Sequence, residues 1–155
     1  PDPRMILYPK EIKISKSMRK VLRDKRFRIT KNTCFKEVLE YCSSVDRVGQ
    51  DGTWITEQMK MAYLNLHEKG IAQSYEVWEG DKLVGGLYGI DLGHVFCGES
   101  MFSLTSNASK FAFIKLAQEL QEKEYKIIDC QLHTDHLESL GAQEISRIEF
   151  LKLLK

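Results

Sequence analysis

Between Ser74 and Gly98 the chain reads as strand, turn, strand, turn, strand, and that order limits what the rest can fold into. Ser74–Trp78 and Leu83–Ile90 carry the aromatic and β-branched residues of strands, and Glu79-Gly80-Asp81 between them is a hairpin signal. Asp91-Leu92-Gly93 makes a second turn into His94–Gly98, so an antiparallel meander is expected. A sheet of that kind must be covered by helices or by a second sheet. The flanks supply helices. Asn107 opens a long one holding Phe111, Ile114, Leu116, Ala117 and Leu120, and a buried strand, Ile127-Ile128-Asp129-Cys130, follows it. A short helix to Leu140 ends at Gly141, and Ser146 with Glu149 forms a capping box for a terminal helix. Upstream, Met5–Tyr8 is extended, and Ser15 or Ser17 caps a helix that ends near Asp24. Phe27–Thr30 is a short strand, and Asn32 or Thr33 caps a helix with Phe35, Val38, Leu39 and Cys42 on one face. A loop spans Ser43 to Gly52, and a helix carrying Met59, Ala62, Tyr63 and Leu66 is stopped by Gly70. The expected class is α+β, a mixed sheet flanked by helices.

A length of 155 residues suits one domain, and 43% hydrophobic with 29% charged residues excludes wholesale disorder. No apolar run approaches the roughly 20 residues of a membrane-spanning helix, and Pro-Asp-Pro-Arg is no secretory leader. Cys34, Cys42, Cys97 and Cys130 lack C-x-x-C spacing, which points away from zinc modules and redox pairs. A reduced, cytoplasmic protein is expected. The net charge of +1 conceals an asymmetry. Residues 1–36 hold 12 Lys/Arg against 3 Asp/Glu, and the remainder holds 11 against 19, so a +9 segment precedes one of −8. Lys13, Lys16, Lys20 and Arg23 recur at helical spacing and form a stripe that can follow a phosphate backbone or simply face water.

Two carboxylates stand out. Asp129 ends an apolar core strand, where burial without partners is costly and where ligands often bind. Glu99 lies among small and apolar residues in Gly98-Glu99-Ser100-Met101-Phe102, and reads as a functional carboxylate or as an ion pair with a helix. Gly98-Glu99-Ser100 is not a nucleophile elbow, so Ser100 is a poor hydrolase nucleophile, and Cys130 reads as a buried, inert thiol. His133 and His136 have no second ligand pair of matching spacing, so no metal is expected. Gly85, Gly86 and Gly89 within one strand imply a bulge or a close approach by a ligand. Trp54 lies where a loop enters a helix and is either a core lid or a pocket wall.

Taken in order, Gly-Thr-Trp-Ile (52–55), Leu-Val-Gly-Gly-Leu-Tyr-Gly (83–89), Phe-Cys-Gly-Glu-Ser-Met-Phe-Ser (96–103), Asn-Ala-Ser-Lys (107–110), Ile-Asp-Cys-Gln (128–131) and Ser-Leu-Gly-Ala (139–142) carry a resemblance. With the opening Pro-Asp-Pro-Arg and Ile-Ser-Lys-Ser-Met-Arg (14–19), the whole chain resembles the bacterial leucyl/phenylalanyl-tRNA–protein transferases. The resemblance implies a GNAT-like (N-acyltransferase-like) domain over residues 37–155, with the basic segment 1–36 packed on it as one compact unit. It implies transfer of Leu or Phe from aminoacyl-tRNA to proteins that start with Arg or Lys, marking them for N-end rule degradation; an apolar slot discriminates weakly enough to admit Met as well. No cofactor and a monomeric state are expected. The Gly-rich pyrophosphate loop of acyl-CoA enzymes is replaced before the long helix by Ser106-Asn107-Ala108-Ser109-Lys110, which suits a donor carried on tRNA. The family's domain ahead of Pro-Asp-Pro-Arg is missing from this sequence.

By the same resemblance, Gln131 contacts the attacking amine and Asp129 polarises that contact, while Glu99 neutralises or orients the cationic acceptor. Leu87, Phe96, Met101 and Ile128, apolar residues on or beside the motif strands, are candidates for the slot that takes the leucine or phenylalanine side chain, with Ser100 a further substrate-binding candidate and Trp54 near the terminal adenosine. Lys16, Lys20 and Arg23 are assigned to the tRNA acceptor stem. The rival readings are an aminoacyl-tRNA-dependent transferase with another acceptor, a non-catalytic tRNA-binding module, and an acyl-CoA acetyltransferase.

Overall fold

A computed structural model describes residues 2–44 and 55–155. Among these residues, seven strands form one sheet: β1 (Arg4–Leu7), β2 (Arg28–Lys31), β3 (Ala72–Glu79), β4 (Lys82–Asp91), β5 (Val95–Ser103), β6 (Ile127–Gln131) and β7 (Gln143–Ile145). Their spatial order is β2-β3-β4-β5-β6-β1-β7. The expected meander is β3-β4-β5, antiparallel throughout, with Gly80 and Gly93 at positive φ in its two turns. Strands β5 and β6 run parallel and the other described pairs antiparallel, so the sheet is mixed. The position of β1 was not expected: it lies between β6 and β7, antiparallel to both. The basic segment therefore enters the main sheet through its first strand. Strand β7 was also missed; three residues give too little periodicity to read.

Among the described residues, six α-helices cover the sheet: α1 (Lys16–Arg23), α2 (Phe35–Ser44), α3 (Glu57–Glu68), α4 (Ala108–Glu122), α5 (Asp135–Ser139) and α6 (Arg147–Leu153). On one face, α4 buries Phe111, Ile114, Leu116, Ala117 and Leu120 against Met5, Leu7, Tyr75, Phe96 and Ile128. Helix α1 packs on the same cluster through Met18, Val21 and Leu22. On the other face, α2 and α3 cover Tyr88, Phe102 and Ile90, and α6 covers Ile6, Val95 and Ile127. Among the described residues, no helix is long and apolar enough to cross a membrane.

The caps follow the sequence in most places. The hydroxyls of Ser15 and Ser146 accept the backbone N–H of Met18 and Glu149, and Gly141 ends the α5 turn at φ +106°. Helix α2 differs: it begins after Cys34, whose carbonyl accepts the Val38 N–H. Asn32 and Thr33 are used by β3 instead. The Asn32 side chain accepts the Ser74 N–H, and Thr33 donates through both its N–H and its hydroxyl to Glu76. Glu76 is fully buried, and its four hydrogen bonds to Thr30, Thr33 and Ser74 supply the polar shell that a buried carboxylate requires.

The glycines of β4 are explained by the protein itself. A Cβ on Gly85 would lie 2.6 Å from the Ala108 Cβ at the start of α4, and one on Gly86 would lie 2.6 Å from the Tyr75 carbonyl. One on Gly89 would overlap the Phe96 ring. The close approach is thus made by α4, β3 and β5. Gly85→Ala is expected to lower stability by about 1–3 kcal/mol through overpacking, read as a shifted urea midpoint. Ala108→Gly in the same chain should recover most of that loss.

Candidate active site

Strands β5 and β6 pair only over Val95–Cys97 against Ile127–Asp129. Beyond that rung they part, β5 staying with β4 and β6 staying with β1. Each strand carries an extra residue just past the fork. Tyr88 faces Ser100 and Gly89 faces Gly98, so Glu99 has no partner on β4; Ile6 faces Asp129 and Met5 faces Gln131, so Cys130 has none on β1. A bulge of this kind turns a side chain out of the strand's alternation. The fork opens into a cavity of about 570 Å³, with Gly98, Glu99, Ser100 and Met101 on one wall and Ile128, Cys130 and Gln131 on the other. Leu87, Tyr88, Phe113, Leu116, Leu132, Thr134, His136 and Leu137 complete it.

Gln131 spans the gap. Its side-chain Nε2 donates to the Gly98 carbonyl at 3.2 Å and to Glu99 Oε2 at 3.4 Å. Its backbone sits at φ +68°, in the left-handed region, inside a tight turn closed by the Leu132 N–H on the Cys130 carbonyl at 2.8 Å. A non-glycine residue held there costs about 1–3 kcal/mol. The Gln131 N–H donates to Asp129 Oδ1 at 3.0 Å. Asp129 thus meets Gln131 through the backbone amide and leaves the side-chain amide to the cavity.

Asp129 itself is buried on the far side of its strand and forms a two-pronged pair with Arg4: Nε to Oδ1 at 2.9 Å and Nη2 to Oδ2 at 2.6 Å. The Arg4 guanidinium is raised above its ordinary pKa, chiefly by this bond, and it lies over the Phe150 ring of α6 at 4.5 Å. Glu99 faces the cavity. Burial pushes its carboxyl above the usual carboxylate value, against the stabilising hydrogen bonds from Gln131 and Tyr63. The Tyr63 hydroxyl on α3 donates to Glu99 Oε2 at 3.2 Å, and its own pKa is pushed up to about 12, mainly by burial. Burial also pushes the Cys130 thiol up to about 12, which suits an inert group.

The structure therefore brings Glu99, Ser100, Met101, Leu87, Ile128 and Gln131 together around one cavity. Asp129 stands behind it. Phe96 is buried against Tyr75 and is not among the cavity-lining residues; it precedes the Glu99 bulge and points into the core under α4. Trp54 lies outside the described residues. His136 lines the cavity and its pKa is lowered, mainly by burial, while His133 bonds Glu138 at 2.6 Å on the surface. Lys16, Lys20 and Arg23 are exposed on α1 without an acidic partner among the described residues. Helix α1 packs on α4, which lends Phe113 and Leu116 to the cavity. Sequence reasoning missed Arg4 and Tyr63; Pro-Asp-Pro-Arg was the one available signal for Arg4, and no spacing rule marked Tyr63.

A family model described as leucyl/phenylalanyl-tRNA protein transferase matches residues 6–155. The leucyl/phenylalanyl-tRNA–protein transferase of Christiangramia forsetii is 62% identical over 156 residues, which cover 99% of this chain and 74% of that protein. The protein of the same name from Flavobacterium johnsoniae is 60% identical over 155 residues, 100% of this chain and 73% of its own. Among solved structures, an aminoglycoside acetyltransferase from an uncultured soil metagenomic sample superposes with a TM-score of 0.53 at 15% identity, over 85% of this chain and 89% of that one. That likeness concerns the fold, which is GNAT-like. With the family match running from β1 to the last residue, the chain belongs to the leucyl/phenylalanyl-tRNA–protein transferases, a family of aminoacyltransferases.

Proposed function

We propose that this chain moves leucine or phenylalanine from aminoacyl-tRNA to the N-terminal amine of proteins that begin with Arg or Lys, a mark for N-end rule degradation. The observation that carries the reading is one carboxylate and one amide, Glu99 and Gln131, set together in the wall of an otherwise mostly apolar cavity. An aminoacyl ester is already activated, so the reaction needs position more than a covalent intermediate. The amine nitrogen attacks the ester carbonyl, the tetrahedral intermediate collapses, and the ribose oxygen departs with a proton that originates on the amine. Glu99 attracts the acceptor's ammonium and orients it, and the ammonium releases one proton to solvent before the neutral amine attacks. Gln131 Oε1, which takes no hydrogen bond among the described residues, accepts an N–H of the attacking amine. Asp129 contributes by holding the Gln131 backbone.

Leu87, Met101, Phe113, Leu116, Ile128 and Leu137 offer an apolar slot for the transferred side chain. Such a slot separates similar side chains by only about 1–3 kcal/mol per methylene, so tolerance of Leu, Phe and Met follows. Lys16, Lys20 and Arg23 take phosphates of the acceptor stem, contacts that position a donor without reading its sequence.

The deciding experiment is transfer of radiolabelled leucine from Leu-tRNA to peptides starting with Arg, Lys, Asp or Ala. Label on the Arg and Lys peptides alone supports the reading. Label on other acceptors favours a transferase of different acceptor, and binding of tRNA without any transfer favours a binding module.

Changing Lys16, Lys20 and Arg23 together to alanine should weaken tRNA binding in a salt-dependent way. Each lost phosphate contact should reduce the slope of log K against log salt by about 0.9, with little change in kcat at saturating tRNA. Glu99→Gln should raise KM for the Arg peptide roughly tenfold, the worth of about 1.4 kcal/mol. The acid limb of the pH profile, set by Glu99 among Tyr63, Asp129 and Arg4, should vanish with it. Folding raises the Glu99 pKa, so its carboxylate subtracts from stability once pH passes from the ordinary value through the raised one. Glu99→Gln should therefore raise Tm at pH 7.

A further inference from the structure

We propose that Arg4 is a positioning residue for the transfer reaction, acting through Asp129 to hold Gln131 in its strained turn; the inference rests on the function proposed above. Three contacts form a chain from outside the cavity to its wall. The Arg4 fork binds both Asp129 oxygens, at 2.9 and 2.6 Å, and fixes the plane of the carboxylate. One of those oxygens then accepts the Gln131 N–H at 3.0 Å. The Gln131 side chain, from a backbone at φ +68°, crosses the fork to the Gly98 carbonyl and Glu99.

Each link depends on the one before it. A left-handed glutamine has no intrinsic reason to persist, and the hydrogen bond from its own N–H to Asp129 is a restraint on that conformation. Asp129 is 2% exposed and has few ways to satisfy a carboxylate in that setting. Arg4 supplies the countercharge and the geometry, and is itself held by the Phe150 ring at 4.5 Å. Arginine is suited to this task because its planar fork sets an orientation, whereas lysine offers only a point charge. Without the fork, Asp129 turns, Gln131 relaxes to an ordinary backbone region, and its amide leaves the Gly98 carbonyl. The cavity keeps its apolar wall, so donor binding survives while the attacking amine loses its guide.

The test uses the 155-residue chain with Arg4→Lys, Arg4→Met, Asp129→Asn and the double variant Arg4→Met/Asp129→Asn. The rate and KM are measured with Leu-tRNA and an Arg-initiated peptide, and the Gln131 backbone and side-chain amide signals are followed by NMR. Arg4→Met should lower kcat by about 100-fold, the scale of a misplacement near 1 Å, with KM for Leu-tRNA within threefold. Arg4→Lys should recover part of the loss. The double variant removes the unpaired buried charge, so it folds even where Arg4→Met fails, and it should be no slower than Asp129→Asn alone. Wild-type kcat in Arg4→Met, multiplied losses in the double variant, or unmoved Gln131 signals would each overturn the proposal. If the unmodified chain transfers nothing, the functional reading fails on its own. Displaced Gln131 signals in the Arg4 variants then still support the positioning role, and unmoved signals refute it.

Discussion

The rung Cys97–Asp129, where two parallel strands stop pairing, is the constraint around which the molecule is organised. Parting two strands leaves backbone groups without partners, and buried peptide groups tolerate that poorly. The chain answers locally. The Gln131 side chain takes the Gly98 carbonyl, and the residues that could not remain in register, Glu99 and Cys130, are pushed out as bulges. The opening left between the strands is the cavity. Helix α4 floors it with Phe113 and Leu116, and its tight seat on the sheet is why Gly85 has no side chain.

Much of this was legible. Glycine turns between strand-like runs identified the meander, and helix caps such as Ser15 and Ser146 were readable from residue type because capping is local physics. Asp129 is legible because a carboxylate at the end of an apolar run demands partners. What escaped is non-local. The register shift at Glu99 depends on how β4 and β5 twist together, and the Arg4–Asp129 pair joins residues 125 positions apart. Phe96 shares the α4 side of the sheet with Met101, but it sits where β5 and β6 are still paired and packs on Tyr75, a position along the strand that residue types do not announce. Asn32 and Thr33 looked like caps, but neighbouring β3 offered a buried carboxylate, Glu76, that needed their hydrogen bonds more.

The electrostatics divide between two carboxylates only a strand apart. Asp129 is matched with a cation and withdrawn from the cavity, whereas Glu99 faces the cavity with neutral partners, Tyr63 and Gln131. A matched ion pair is a rigid strut; a carboxylate with neutral partners keeps capacity for a cation from outside. That contrast, set by the fork, lets adjoining elements serve as support and as contact surface. Burial of Glu99 costs stability, and under the proposed function that carboxylate is the group an incoming ammonium would meet.

Strand β1 has a consequence for how the protein is made. It occupies residues 4–7 yet its neighbours in the sheet are residues 127–131 and 143–145. During synthesis the meander and α4 can assemble while β1 waits without either neighbour, because β6 and β7 emerge more than a hundred residues later. The β6-β1-β7 end of the sheet therefore cannot pair, and Arg4 cannot meet Asp129, until residues 127–145 have been made. A chain caught on the ribosome before that point has the meander but no clamped Asp129, so the clamp arrives together with the finished fold.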